Sequence, residues 1–159
     1  MSSGKIFAGA IVIAAVLAGA AMYYLQVYAY FQEVSSDSPD AEIRLTSLTS
    51  ELPEIILVEN FRGIDATSSP LRFRACFDTP HSQAMLTETF VTVAEAIPLV
   101  GPGWFECYDA VEIGEALERG DAIGFLGQKD IVDGIDRVVA VFPDGRGFVW
   151  HQLNEKYKE

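Results

Sequence analysis

The sequence predicts an α+β fold: one N-terminal transmembrane helix, then a small domain with a mainly antiparallel sheet and one or two helices. Three observations carry that prediction. Residues from Ile6 to Phe31 form an uninterrupted apolar stretch in which Gln26 is the only strongly polar side chain. Past it, apolar residues recur mainly with a period of two, the spacing of half-buried strands. Helical spacing appears only in two short windows, 82–97 and 111–119.

At 1.5 Å per residue the apolar stretch can cross roughly 30 Å of hydrocarbon. Before it stand the Met1 amine and Lys5, whereas Glu33, Asp37, Asp40 and Glu42 follow it ahead of the first basic residue, Arg44. The positive-inside rule then places residues 1–5 in the cytoplasm and the body outside, in the periplasm if the membrane is a bacterial inner membrane. Tyr23, Tyr24, Tyr28, Tyr30 and Phe31 gather at the far end, where rings with one apolar and one wet side suit the headgroup level. A cleavable export signal is the competing reading, with an apolar core to Leu17 and small residues Ala18-Gly19-Ala20. The stretch runs on for another eleven residues past Ala20, with Gln26 its one polar interruption, which favours an anchor. Small residues at Ala10, Ala14 and Ala18, with Ala15 and Gly19 beside them, leave a smooth strip on which another helix could pack; the plainer account is that alanine is common in single anchors.

Residues 32–41, with Ser-Ser-Asp-Ser-Pro-Asp in their middle, read as a polar tether. Residues 42–159 suffice for one compact domain. Strands are expected at 43–48, 55–65 and 71–78, the last with Arg72 and Arg74 on its wet side. A helix over 82–97 should end before Pro98, and after the turn cluster 98–103 a short strand should run from Trp104 to Tyr108. The window 111–119 predicts a helix closed by Gly120 in a left-handed cap. A strand over 122–126 then leads into a polar excursion, 127–134. Strands 135–142 and 147–153 flank Pro143-Asp144-Gly145-Arg146, a strong hairpin signal.

All 23 acidic residues follow the apolar stretch, against ten of the 11 Lys and Arg, so the body carries about −13. Such a surface repels nucleic acid and anionic headgroups and attracts a basic partner or cations; it also serves simply to keep an exported domain soluble. Cys76 and Cys107 are the only cysteines. In an oxidising compartment they form a disulfide candidate, with two buried free thiols as the alternative.

No catalytic motif is present. The only soft or imidazole ligands, Cys76, His81, Cys107 and His151, lack the paired spacing of structural zinc sites. Ser82 follows His81 but sits in no Gly-x-Ser-x-Gly elbow, and no Gly-x-x-x-x-Gly-Lys loop exists for phosphate. Asp130, Asp133 and Asp136 do not fit the calcium-loop pattern and read as a solvated acidic loop. No catalytic residue, cofactor or metal is therefore expected. A partner surface is sought at those three aspartates and at the aromatic turn of Trp104 and Phe105, although these rings could equally fill the core.

The stretches MYYLQVYAYF (22–31), FRACF (73–77) and GIDRVVAVFPDGRGFVWHQLNEKY (134–157) resemble a small family of uncharacterised single-pass envelope proteins of alphaproteobacteria. Some of its members are labelled histidine kinases, a label to reject for a chain with two histidines and no ATP-binding glycine box. The resemblance implies no agreed activity and no functional residues. The expectation is a non-enzymatic accessory or assembly subunit of a larger integral membrane complex. A respiratory host is favoured, cytochrome oxidase or cytochrome bc1, because an acidic outer surface would concentrate basic cytochrome c. The alternative is an anchored sensor or a module that binds a small ligand or cation. An enzyme, third in order, would need Cys76 or a serine beside His81 or His151 in a cleft.

Overall fold

The computed structural model describes residues 3–157; the Met1 amine, used above to orient the helix, lies outside them. The chain divides into two units, Met1–Phe31 and Gln32–Glu159.

In the first unit, helix α1 (Ser3–Tyr24) runs into a π-helical turn, Leu25–Ala29. Together they make 27 residues, about 40 Å of helix, long and apolar enough to cross a membrane. No residue of α1 is buried, so the strip of Ala10, Ala14, Ala15, Ala18 and Gly19 lies open. Tyr28 stacks on Tyr24 at 6.1 Å and meets Tyr23 edge-on, building the expected aromatic cluster at the far end.

The second unit is organised by a six-stranded sheet in the order β1-β4-β5-β8-β7-β6, formed by Phe31–Val34, Glu59–Ala66, Arg74–Asp78, Arg146–Leu153, Ile135–Val141 and Ile123–Val132. A separate hairpin joins β2 (Arg44–Thr46) to β3 (Pro53–Ile55). Every pairing with a described register is antiparallel. The two faces of the sheet carry different cores. Phe73, Ala75, Phe77, Val139, Val141 and Val149 meet Ile43, Leu45, Leu86 and Phe125 on one face. On the other, Cys76, Val138, Ala140, Phe148 and Trp150 meet Tyr108, Ile113 and Ala116. Both faces being covered explains why Gly147 to Gln152 of β8 are buried without alternation. Accordingly the helices α2 (Gln83–Thr89) and α3 (Ala110–Arg119) pack on opposite faces.

Helix α3 ends as its sequence dictates. The Asp109 carboxylate accepts from the N–H groups of Val111 and Glu112, and Gly120 closes the helix at φ 76°. Such an N-cap is worth about 1 kcal/mol. Helix α2, capped by Ser82 accepting from Met85 N–H, stops at Thr89, well short of the expected 97. From Phe90 on, β-branched residues favour extended backbone, and Val91 and Val93 donate to the Thr46 and Gly124 carbonyls. The expected strand from Trp104 to Tyr108 is instead a run of turns, with Phe105 and Tyr108 donating to Pro102 and Phe105 carbonyls. The segment read as a tether is also ordered: Phe31–Val34 is an edge strand beside β4, and Pro39–Ala41 makes a 3-10 turn. Phe31 and Val34 at its two ends are partly buried while Gln32 and Glu33 between them are exposed, and Ala41 is buried.

Strands β7 and β8 form the expected hairpin, closed through Gly145 at φ 91°. The excursion 127–134 belongs to β6 up to Val132, with two register irregularities, before a tight turn at Gly134. Directly across from Phe77, Gly147 leaves room for the phenylalanine ring to lie on its backbone, and a Cβ there would collide with that ring.

Candidate functional site: a charged cleft on one face of the sheet

Within the β7–β8 hairpin the register sets Arg137 opposite His151. Both side chains share the face of Val139 and Val149, so a charge and an imidazole stand in an otherwise apolar row. The Arg137 guanidinium lies 4.4 Å from the Phe73 ring centroid, and the same ring stacks on His151 at 4.9 Å. Arg137 Nε donates to His151 Nε2 at 3.1 Å, which fixes the imidazole: its proton sits on Nδ1, donated to the Pro70 carbonyl at 2.7 Å. Burial, reinforced by the guanidinium charges of Arg137 and Arg74 and only partly offset by the Pro70 bond, pulls the His151 pKa down to about 4. His151 is thus buried, accepting at Nε2 from Arg137 and donating from Nδ1 to Pro70.

Around Arg137 a cleft of about 450 Å³ opens, lined also by Asp40, Glu42, Arg44 and Asp65. Asp40, on the 3-10 turn, approaches Arg137 Nη2 only to 3.5 Å and is itself 66% exposed. That separation exceeds the roughly 2.7–2.9 Å of a charge-assisted hydrogen bond. Arg44 pairs with Glu42 at 2.5 Å. Asp65 accepts from the Ala66 N–H at 2.8 Å; its burial, with Asp40 nearby, raises its pKa against the pull of Arg137 and Arg74. Burial likewise lowers the pKa of Arg137, against Asp40.

The other sequence-predicted residues lie elsewhere. Cys76 and Cys107 are joined in a disulfide, Cα atoms 6.3 Å apart, which ties the Trp104–Tyr108 turns to β5. Arg74, expected in water, is 4% exposed. Its Nε donates to Leu99 O, Nη1 to Leu71 and Phe73 O, and Nη2 to Val100 O, all within 3.0 Å. Carbonyls supplied by the 98–101 segment therefore replace solvent.

Trp104 stands at the surface with its ring edge-on to Phe105, which is partly buried against the second core. The aspartates of the β6–β7 turn do not form an open acidic loop. Asp130 and Asp136 both accept from Asn154 Nδ2 at 2.9 Å, Asp130 also accepts from Gly134 N–H, and Asp133 binds Lys156 and the Tyr157 hydroxyl. These bonds, Asn154 foremost for Asp130 and Lys156 for Asp133, hold both pKa values down. Among the described residues, no group of three or more His, Cys, Asp and Glu side chains could hold a metal ion. Ser82 Oγ serves as the α2 cap, and His81 lies in the loop before it.

Sequence reasoning passed over Arg137 and Asp65 and raised His151 only as a metal ligand or as the neighbour of a nucleophile. The signal was available in part: Arg137 is in phase with Ile135, Val139 and Val141. A charge within a buried row of period two requires an internal partner.

No curated protein and no solved structure matches the chain. Residues 43–159 match the family described as "Family of unknown function (DUF6446)", and since that match spans most of its length, the chain belongs to this family.

Proposed function

We propose that the chain is a non-enzymatic, membrane-anchored accessory or assembly subunit of a larger membrane complex. One observation carries this reading: a domain with two filled cores still leaves Leu48, Leu52, Ile55 and Leu57 more than half exposed, all on or beside the β2–β3 hairpin. Large apolar side chains grouped on one small element mark an interaction surface. The bare strip of small residues on α1 suits lateral packing against other membrane helices. In this reading α1 crosses the inner membrane with its N-terminus in the cytoplasm and the acidic domain in the periplasm. The acidic surface fits a basic partner such as cytochrome c, which favours a respiratory host, cytochrome oxidase or cytochrome bc1.

Mild-detergent extraction of the tagged chain at native expression, with mass spectrometry of all that co-purifies, tests the proposal. Stoichiometric recovery of a membrane complex is expected, and Leu52→Asp with Ile55→Asp should reduce it. Recovery of the chain alone would refute the subunit reading. Salt-dependent cytochrome c turnover unchanged by deletion would remove the respiratory assignment.

A second reading, an anchored sensor or small-ligand module, has its own supporting observation. A partly buried guanidinium and two carboxylates, Asp40 and Asp65, line one cleft, and Asp40 comes no closer to Arg137 than 3.5 Å.

A further inference from the structure

We propose that the cleft around Arg137 binds a small amino acid as its zwitterion, a basic amino acid above all, with the ligand carboxylate on Arg137 and its ammonium groups at Asp65 and Asp40. This rests on the ligand-binding reading of the cleft.

The cationic half of the site is prebuilt. Phe73 supports the guanidinium plane and His151 takes its Nε proton, so rotation of the group is blocked from two sides. His151 is in turn held by Pro70. What remains is the Nη side, engaged among the described residues by exposed Asp40 alone, at 3.5 Å. A fixed guanidinium with that edge open is the geometry that a carboxylate grips with two parallel hydrogen bonds. Binding there costs little ordering, because the receptor side chain is already immobile.

The anionic half is equally unfinished. One Asp65 oxygen accepts from the Ala66 N–H, and the other has no hydrogen-bond partner among the described residues. Asp40 lines the same cleft and acts on Asp65 as a like charge. An ammonium between them would relieve that repulsion and satisfy their oxygens.

Charge then selects the ligand. Asp40, Glu42 and Asp65 stand against Arg44 and Arg137, and His151 is neutral, so the lining carries a net −1. A ligand of net +1 neutralises it, whereas an acidic amino acid would add to it. A free inorganic anion would leave the carboxylates facing each other, and a bare metal cation would meet Arg137. The volume, about 450 Å³, falls among small-molecule sites of roughly 300–1,000 Å³.

The test is thermal unfolding and calorimetric titration of the full-length chain in detergent against L-lysine, L-arginine, glycine, L-glutamate, cadaverine and acetate. Lysine or arginine should raise the unfolding midpoint and bind at least tenfold more tightly than glutamate. Asp65→Asn keeps the acceptor for the Ala66 N–H, so it should leave the ligand-free midpoint in place and weaken lysine at least tenfold. Asp133→Asn, in the remote β6–β7 turn, should leave lysine binding unchanged. Arg137→Gln should abolish the advantage of lysine over cadaverine; should that variant fail to fold, the lysine–cadaverine comparison on the natural chain decides the same point. Cadaverine binding as tightly as lysine would overturn the amino-acid assignment while keeping the cleft as a ligand site. No response to any of the six would overturn both.

Discussion

Arg74 and Arg137 are two guanidinium groups on opposite faces of one sheet, the first buried and the second partly buried, and the molecule treats them in opposite ways. Arg74 lies beside Tyr108, and each of its nitrogens donates to backbone carbonyls from Leu71, Phe73, Leu99 and Val100. Arg137 lies over Phe73, with one firm bond to His151 and a loose ion pair at 3.5 Å. Burial lowers the pKa of both. Loss of solvent alone therefore does not separate a charge that is used up inside the fold from one left open to a ligand. The separation comes from the count of hydrogen bonds already made: a satisfied guanidinium fastens the chain, and an unsatisfied one can fasten something else.

Removing Arg74 should do the most damage. Arg74→Ala leaves carbonyls from two segments without their donor inside the protein, and a loss of about 3–5 kcal/mol is expected in urea denaturation. A loss under about 1 kcal/mol would mean that water replaces the side chain and would break the contrast. Next comes the disulfide, which secures the same turns from their other end. Cys107→Ser, or reduction, should cost about 3 kcal/mol and speed hydrogen exchange in residues 98–108 ahead of the sheet.

The third expectation is a pH dependence centred on His151. In the unfolded chain its imidazole takes a proton near pH 6.5, but in the folded protein only near pH 4. Because the unfolded state binds more protons in that window, stability falls as pH drops from about 6.5 to about 4 and is fully present above it. The loss is on the order of 2–3 kcal/mol. Carboxylates titrate in the same range, so the comparison to make is with His151→Gln, which should show a shallower decline. Smallest should be Arg137→Met, where an apolar side chain of similar length rests on Phe73 and removes a desolvated charge. A change of about 1 kcal/mol in either direction is expected, with amino-acid binding abolished. A loss as large as that of Arg74→Ala would place both arginines in the same structural class.

Much of the fold could be read from local pattern. The α3 signals, an apolar stripe between Asp109 and Gly120, lie within a dozen residues and act at that range. The same is true of the hairpin closed by Asp144 and Gly145, and the two cysteines formed the pair that composition allows. Reading failed where distant segments decide. The chain leaves the helix after Phe90 because Thr46 and Gly124, far away in sequence, accept the N–H groups of Val91 and Val93. Trp104 to Tyr108 do not extend because the disulfide and the turns after Pro98 hold them compact. Arg74 seemed a solvent-facing residue since two of the four carbonyls that enclose it come from residues 25 and 26 positions later.

The charged cleft was half legible on the same terms. Fixing the β7–β8 turn also fixes the register that pairs Arg137 with His151. Asp65 and Asp40 could not be added to that pair from sequence, because β4 and the 3-10 turn reach the cleft only through the tertiary fold.

The ring of Phe77 resting on Gly147 has a consequence for how this sequence can drift. Neither position can change freely, because any side chain at 147 collides with the ring and loss of the ring uncovers the backbone of a central strand. The permitted route is an exchange: a smaller residue at 77 together with a side chain at 147 to fill the space, each deleterious when it arrives first. Descendants should therefore either retain both residues or have replaced both, and a chain caught with one replacement should fold poorly until the other follows.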